Sequence, residues 1–386
     1  MNLMEHLTMH RAIRRMVIAA LMLAASGLAT ATDDIVIGQT ADLSSAAAAG
    51  QTQDFNAGVK LYLDAVNSHG GIGGRRIRLL SLDDAYVATN AAKNAETLAA
   101  NQSVVALFGS RGSDPTDAVI KIAEREKMAL IAPVNGADAV RASKVVFPVR
   151  ASYKAEVDGI LRYFSLAPTK LAVLVQDDKF GRPLLDYIEQ QLKHGKHPNI
   201  SLVGKVIFDR KATRLDAEAE KIISMRPRAV VALCNPAACS EFVNQLQERT
   251  EERKEHRPAV AQLSNIDMLA QYKLVGGDGV LGNPFAQVMP SPYRASLPIS
   301  RDFTAAATEH NVPINYRSFE GYVSAAVMVE GLRRAKTLTR QGIRDGMEGL
   351  GEISIGGIAV KYTATDRTGS RLVDLVSMDS QGRLLR

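Results

Sequence analysis

Two hydrophobic rhythms alternate along the chain. A short β-branched run at 35–38 and short apolar-rich runs at 77–82, 104–108 and 129–132 predict strands. Between them, 53–67 places Phe55, Val59, Leu61, Leu63 and Val66 at loosely helical spacing. The Ala-rich 89–100 and the stretch 115–127 predict two more helices. Strand and helix in alternation mean a parallel sheet covered on both faces. After 145–153, read as a crossover, the rhythm resumes: strands at 171–175, 203–208, 229–233 and 259–263, helices at 183–192, 215–224 and 240–249. Pro284, Pro290, Pro292 and Pro298 then interrupt regular structure before a long helix at 316–336. No short-period repeat appears, but the two α/β halves resemble each other, as the two lobes of a ligand clamp would.

Length and charge sharpen this picture. At 386 residues the chain exceeds one core, so two globular units are expected. A hydrophobic share of 46% fills real cores and excludes a disordered chain. The net charge of +6 is small and dispersed, which argues against a nucleic-acid partner. The start of the chain has a different character. Arg11, Arg14 and Arg15 precede the apolar stretch 16–28, which ends in Ala29-Thr30-Ala31. A basic region, a short apolar core and a small-x-small site form a secretory signal peptide, here 1–31. The apolar core is shorter than the roughly 20 residues of a spanning helix; the alternative is a retained N-terminal anchor. No Cys lies near the cleavage site, which argues against a lipid anchor. Removing three Arg and one Glu with the leader leaves a mature charge of +4. The mature chain is expected to be exported, soluble and in an oxidising compartment.

Gly70-Gly71-Ile72-Gly73-Gly74 is the most conspicuous local feature. A phosphate-cradling loop runs from strand to helix, whereas here a helix precedes and a strand follows. The glycines therefore read as a helix C-cap and turn. The stretch 109–116 has the opposite order, leaving a strand and opening a helix, with Ser113 or Asp114 at the cap and Pro115 at the first helical position. Free N–H groups there face the carboxyl edge of the sheet, where open α/β sheets bind ligands. Pro133-Val134-Asn135-Gly136-Ala137 forms a second such end. Two N–H-rich turns with a Ser hydroxyl suit a carboxylate; ordinary capping without a ligand is the alternative.

These features together resemble the type I periplasmic solute-binding proteins, in the branched-chain amino acid and amide branch. The resemblance is carried by Ile35-Val36-Ile37-Gly38, by Asn67-Ser68-His69 with the glycine block and Arg75-Arg76-Ile77, and by Asp83-Asp84. It continues through the 109–116 turn, Ile131-Ala132-Pro133, Phe147-Pro148-Val149-Arg150, Asp177-Asp178-Lys179-Phe180-Gly181 and Phe319-Glu320-Gly321-Tyr322. It implies an α/β fold of two doubly wound parallel-sheet lobes joined by a multi-strand hinge. Lobe one would comprise 32–149 plus 288–371, and lobe two 150–287 plus 372–386. It also implies a monomer without cofactor that closes on an amino acid or similar small carboxylate and docks on the inner-membrane permease of an ABC importer. Carried over by position, Gly112 and Ser113 hold the ligand carboxylate, and Asn135 and Gly136 form a second clamp. Phe180 and the Asn235-Pro236 turn close from lobe two. Amino-acid binders of the family place an acid after the strand at 259–263. Here Asn265 is nearest that place, with Asp267 as a substitute if the turn differs. An aromatic common in the first loop is replaced by Ala46–Ala49. An uncompensated buried ammonium costs several kcal/mol, so the solute is an amide, a carboxylate without an amine, or an aromatic acid.

Other constellations lead nowhere catalytic. Cys234 and Cys239 leave a disulfide and two buried thiols equally open, and their spacing is not that of a redox pair. His194 and His197 read as a solvated loop rather than a metal site. No Gly-x-Ser-x-Gly elbow surrounds Ser110 or Ser113, and no His is near them in sequence. Two rival readings share the clamp: a ligand-sensing subunit of a signalling receptor, and an exported enzyme with a titratable pair in its cleft.

Overall fold

The computed structural model describes residues 34–45, 49–294, 296–379 and 381–385. The expected leader 1–31 and the substituted stretch Ala46–Ala48 lie outside the described residues. In chain order the first unit runs β1 (Ile35–Ala41), α1 (Ala49–Ser68), β2 (Ile77–Asp83), α2 (Ala88–Ala100), β3 (Val104–Phe108), α3 (Ser113–Arg125), β4 (Leu130–Ile131), α4 (Asp138–Ala142) and β5 (Val146–Phe147). The second runs α5 (Tyr153–Phe164), β6 (Thr169–Asp177), α6 (Gly181–Lys193), β7 (Ile200–Asp209), α7 (Asp216–Ser224), β8 (Ala229–Leu233), α8 (Pro236–Glu252), β9 (Ala259–Gln262), α9 (Met268–Val280) and β10 (Phe285–Gln287). The chain then returns through α10 (Pro298–Glu309), α11 (Tyr316–Arg334), α12 (Arg340–Glu348) and the hairpin β11 (Gly351–Ile355) and β12 (Ile358–Tyr362), and ends in β13 (Asp374–Met378) and β14 (Leu384–Leu385).

The first sheet is fully parallel, in the order β2-β1-β3-β4-β5. The second has the order β14-β13-β10-β9-β8-β6-β7, parallel through β10 and antiparallel at the β13 and β14 edge. Each sheet is covered on both faces. The helices α1, α10, α11 and α12 and the β11–β12 hairpin share a core with one face of the first sheet, and α2 and α3 cover the other. In the second sheet α7, α8 and α9 cover one face, and α5 and α6 the other. The chain crosses between sheets three times: after β5, after β10 and after β12. In each sheet the strand order reverses once, at the strand next to one edge: β1 in the first and β6 in the second. The loops that leave the carboxyl ends of neighbouring strands diverge there and leave a crevice.

The α1–α11 contact anchors the first unit. A Cβ on Gly58 would stand 1.7 Å from the Ser318 carbonyl oxygen, and one on Gly321 would stand 1.9 Å from that of Phe55. Only hydrogens fit at these crossings, so two backbones approach to a distance no other residue permits. The glycine block 70–74 is a turn with positive φ at Gly70, Gly71, Gly73 and Gly74, between α1 and β2.

Candidate ligand-binding site

A crevice of about 220 Å³ lies between the carboxyl ends of the two sheets and takes its lining from both. That is smaller than the roughly 300–1,000 Å³ of pockets for drug-sized ligands, and suits a molecule of amino-acid size.

From the first sheet comes the turn after β3. Gly109 hydrogen-bonds back to Ile131, and the Val134 N–H donates to the Ser110 carbonyl at 2.7 Å, so the turns after β3 and β4 are sewn together. Gly112 (φ +83) is the N-cap of α3, placing Ser113 and Asp114 in the first helical turn rather than at the cap. Gly112 is required by its neighbour as well as by its φ, since a Cβ there would stand 2.7 Å from the ring of Tyr86. Tyr86 reaches the crevice because the two carboxylates at the end of β2 build its loop. Asp83 accepts from the N–H groups of Leu43 (2.8 Å) and Ala85 (2.9 Å), and Asp84 accepts from that of Tyr86 (2.9 Å). Ala85 (φ +48) and Tyr86 (φ +62) are held by these bonds in the left-handed region.

From the second sheet come the loops after β6, β8 and β9. The Asp178 carboxylate accepts from the N–H groups of Phe180 and Gly181, both at 2.9 Å, and so caps α6. Phe180 stacks edge-on to Tyr153, with ring centroids 5.1 Å apart. Gln176 accepts from the backbone N–H of Asn235 (3.0 Å), and Asn235 in turn caps α8 through the Ala238 N–H. Asn265 donates to the Cys234 carbonyl at 2.9 Å. Cys234 and Cys239 form a buried disulfide across this corner, with Cα atoms 5.5 Å apart.

The floor of the crevice is cationic. Arg150, Arg317 and Arg111 converge on it. Glu320 lies 3.4 Å from Arg150 and 3.1 Å from Arg317, and serves both. Ser264 is the junction with the second sheet. Its Oγ accepts from Arg150, its carbonyl accepts from Arg317, and its N–H and hydroxyl donate to Glu156 at 2.7 and 2.8 Å. Burial pushes the Glu156 carboxyl up. Arg111 is different: its guanidinium donates to the neutral Gln51 carboxamide, and no carboxylate pairs with it among the described residues. It is only 8% exposed. Burial, reinforced by repulsion from Arg317, draws its pKa down to about 10, so it remains charged at neutral pH. At the rim Asp114 meets Arg210 at 2.7 Å and Lys179 at 3.6 Å, and Asp117 meets Lys179 at 3.3 Å.

Of the residues expected from sequence, Gly112, Ser113, Phe180, Asn235 and Asn265 line the crevice together. Asn135, Gly136 and Asp267 do not. Asn135 donates to the Gly112 carbonyl (3.1 Å) and accepts from the Ala137 N–H (2.8 Å), so it braces the turn from behind. Gly136 accepts from the Tyr153 N–H and lies against that ring, which it seats. Asp267 caps α9 through the Ala270 N–H and borders a separate small cavity with Tyr293 and Tyr316. Tyr86, Arg111, Tyr153 and Arg317 were not anticipated. Each lies within a few residues of a strand end or helix start, and that position was the available signal.

Two α/β units with a shared crevice at their strand ends define a two-lobed ligand-binding fold. The chain belongs to the periplasmic binding protein family, whose model matches residues 34–383. It is similar to a substrate-binding periplasmic protein from Ralstonia solanacearum, at 28% identity over 91% of this chain and 99% of the other, with a TM-score of 0.81. It is similar also to an extracellular ligand-binding receptor from Verminephrobacter eiseniae, at 26% identity over 92% and 100%, with a TM-score of 0.82. The fold is shared with the branched-chain amino acid transporter substrate-binding protein LivJ from Streptococcus pneumoniae in complex with isoleucine, at 16% identity over 91% and 97%, with a TM-score of 0.78. No curated protein matches the chain. No helix among the described residues is long and apolar enough to cross a membrane.

Proposed function

We propose that this protein is the periplasmic solute-binding component of an ABC importer. It captures a small carboxylate-bearing solute (an amino acid, an amide or a related acid) by closure of its two lobes, without chemistry, and presents it to an inner-membrane permease. Lobe one is 32–149 plus 288–371, lobe two is 150–287 plus 372–386, and the leader 1–31 is removed on export. The observation that carries the reading is the crevice itself, lined from both sheets and bridged at its rim by Asp114–Arg210. Sheet membership supports the lobe limits, because the three crossings leave β5, β10 and β12 near them. Ser113 and the free N–H groups at the start of α3 hold the solute carboxylate in lobe one. Phe180, Asn235 and Asn265 complete its enclosure from lobe two. Contacts made only in the closed form shift the open–closed population toward closure.

The test combines a thermal-shift screen of amino acids, amides and small acids with small-angle scattering. A true solute at 100 times its Kd stabilises by about 2.7 kcal/mol and reduces the radius of gyration. Ser113→Ala weakens its binding roughly tenfold, the loss of one hydrogen bond to a charged group. A panel on which no compound both stabilises and contracts the protein overturns the reading.

A further inference from the structure

The acids around the crevice are already committed. Asp178 caps α6 through two N–H groups. Asp114 bridges to Arg210 and Lys179 at the rim. Glu320 and Glu156 lie beneath Arg150 and Arg317 and are taken up by them and by Ser264. Asp267 faces another cavity. A solute ammonium would therefore find guanidinium groups where it needs a carboxylate. Arg111 carries the opposite demand. A cation more than nine-tenths buried and aimed into a crevice, with a neutral amide as its hydrogen-bond partner, is half of an ion pair. A carboxylate is the group that completes it, in the planar two-bond geometry that a guanidinium offers. The walls specify the rest of the molecule. Tyr86 stands over Gly112, Tyr153 with Phe180 forms an aromatic corner, and all three rings line the crevice, so the body they enclose is apolar.

Resting on the solute-capture reading above, we infer that Arg111 determines specificity, and that the solute it selects is an amine-free carboxylate with an apolar, ring-sized body, an aromatic acid above all. Arg111 pairs with the carboxylate while the Tyr86 and Tyr153–Phe180 rings enclose the body. The like-charged floor of Arg150 and Arg317 rejects α-amino acids.

Calorimetry on the full mature chain with matched probes tests this. Benzoate, phenylacetate and 3-methylbutanoate stand on one side; phenylalanine, valine and isoleucine on the second; phenylacetamide on the third. At least one of the acids binds, and the aromatic acids bind more tightly than 3-methylbutanoate. Every amino acid binds at least 100-fold more weakly than the best acid, and the amide at least tenfold more weakly. Arg111→Gln abolishes the preference for acid over amide and lowers acid affinity at least 100-fold. The ligand-free variant melts no lower than the parent, because an unpaired buried charge has been removed; a merely structural arginine would lower it. Arg111→Lys restores part of the affinity. An amino acid binding as tightly as its amine-free counterpart, or Arg111→Gln binding the acids unchanged, overturns the inference. Failure of all the acids overturns it too. If in any of these three cases some compound still contracts the protein in scattering, solute capture stands without this specificity; if no compound does, both readings fall.

Discussion

Asp84 shows how one side chain supports the crevice at a distance. It lies at the end of β2, accepts hydrogen bonds from the Thr40 hydroxyl (3.1 Å) and the Tyr86 N–H, and is buried with Tyr86 poised above Gly112. Burial raises its pKa from 3.8 to about 6, against the pull of those hydrogen bonds. The folded chain thus holds this proton more tightly than the unfolded chain. The stability it contributes is fully present below about pH 4 and is lost as the pH rises through about 6. Asp84→Asn keeps an acceptor for Tyr86 and ends the titration. The melting temperature of the variant therefore gains on the parent between pH 4 and 6.5 and then runs parallel; a difference constant across that range refutes the assignment. The role of Tyr86 was not legible in the sequence, although Asp83-Asp84 was noticed. A left-handed φ at a tyrosine depends on carboxylate-to-backbone bonds that spacing does not disclose. Ser113 was legible because the carboxyl ends of parallel strands point to one edge, whereas Phe180, Asn235 and Asn265 came only from the resemblance to the solute-binding family. Asn135 and Gly136 share that edge but lie one layer back, with their polar groups spent on Gly112 and Tyr153.

At the scale of elements, α11 links the core to the crevice. Its apolar residues are buried on all sides, and its first two turns supply Arg317 and Glu320. Displacing it from α1 disturbs both. Gly321→Ala puts a methyl group into the Phe55 carbonyl and destabilises the protein by about 3 kcal/mol. Urea unfolding checks the loss, and a cost under about 0.5 kcal/mol would mean the helices separate freely. The core strands β3 and β8 were readable to the residue, as uninterrupted apolar runs between turn signals. The long α11 was readable from its length alone. Where local signals conflicted, reading failed. The helix α5 follows a stretch read only as a crossover. The strand β10 hides in the proline-broken segment after 283, protected by pairing with β13 from far along the chain. Gly276, Gly277 and Gly279 obscure α9, which is indeed kinked at Gly276 (φ +79).

Across the whole molecule, the two lobes touch at a buried junction and at a wet rim. At the junction Arg317 from lobe one reaches Ser264, which lobe two's own Arg150 and Glu156 hold in place. The rim is Asp114 and Asp117 facing Arg210 and Lys179, with side chains about a third to two-thirds exposed. Such pairs contribute about 0.2–1 kcal/mol each and weaken as salt screens them. On the proposed closure these pairs form as the lobes meet, so the double variant Lys179→Ala/Arg210→Ala binds solute several-fold more weakly at 20 mM NaCl and loses much of the parent's salt dependence at 500 mM. Titrations at both concentrations check this, and equal salt slopes for variant and parent refute a closing role. None of these cross-lobe pairs could be read in the sequence, since Asp114 and Arg210, for one, stand 96 residues apart along the chain.

The disulfide carries a practical consequence. Cys234 and Cys239 bracket Asn235 and Pro236, so the bond fixes the very corner that would touch a solute. A bond closing so small a ring restrains the unfolded chain by only about 2 kcal/mol, so material made in a reducing cytosol would still fold and pass for native by its melting curve. Its corner would nonetheless be slack, and titrations on it would report affinities that are too weak. Secretion into an oxidising compartment, with a thiol count before any measurement, is the preparation this architecture calls for.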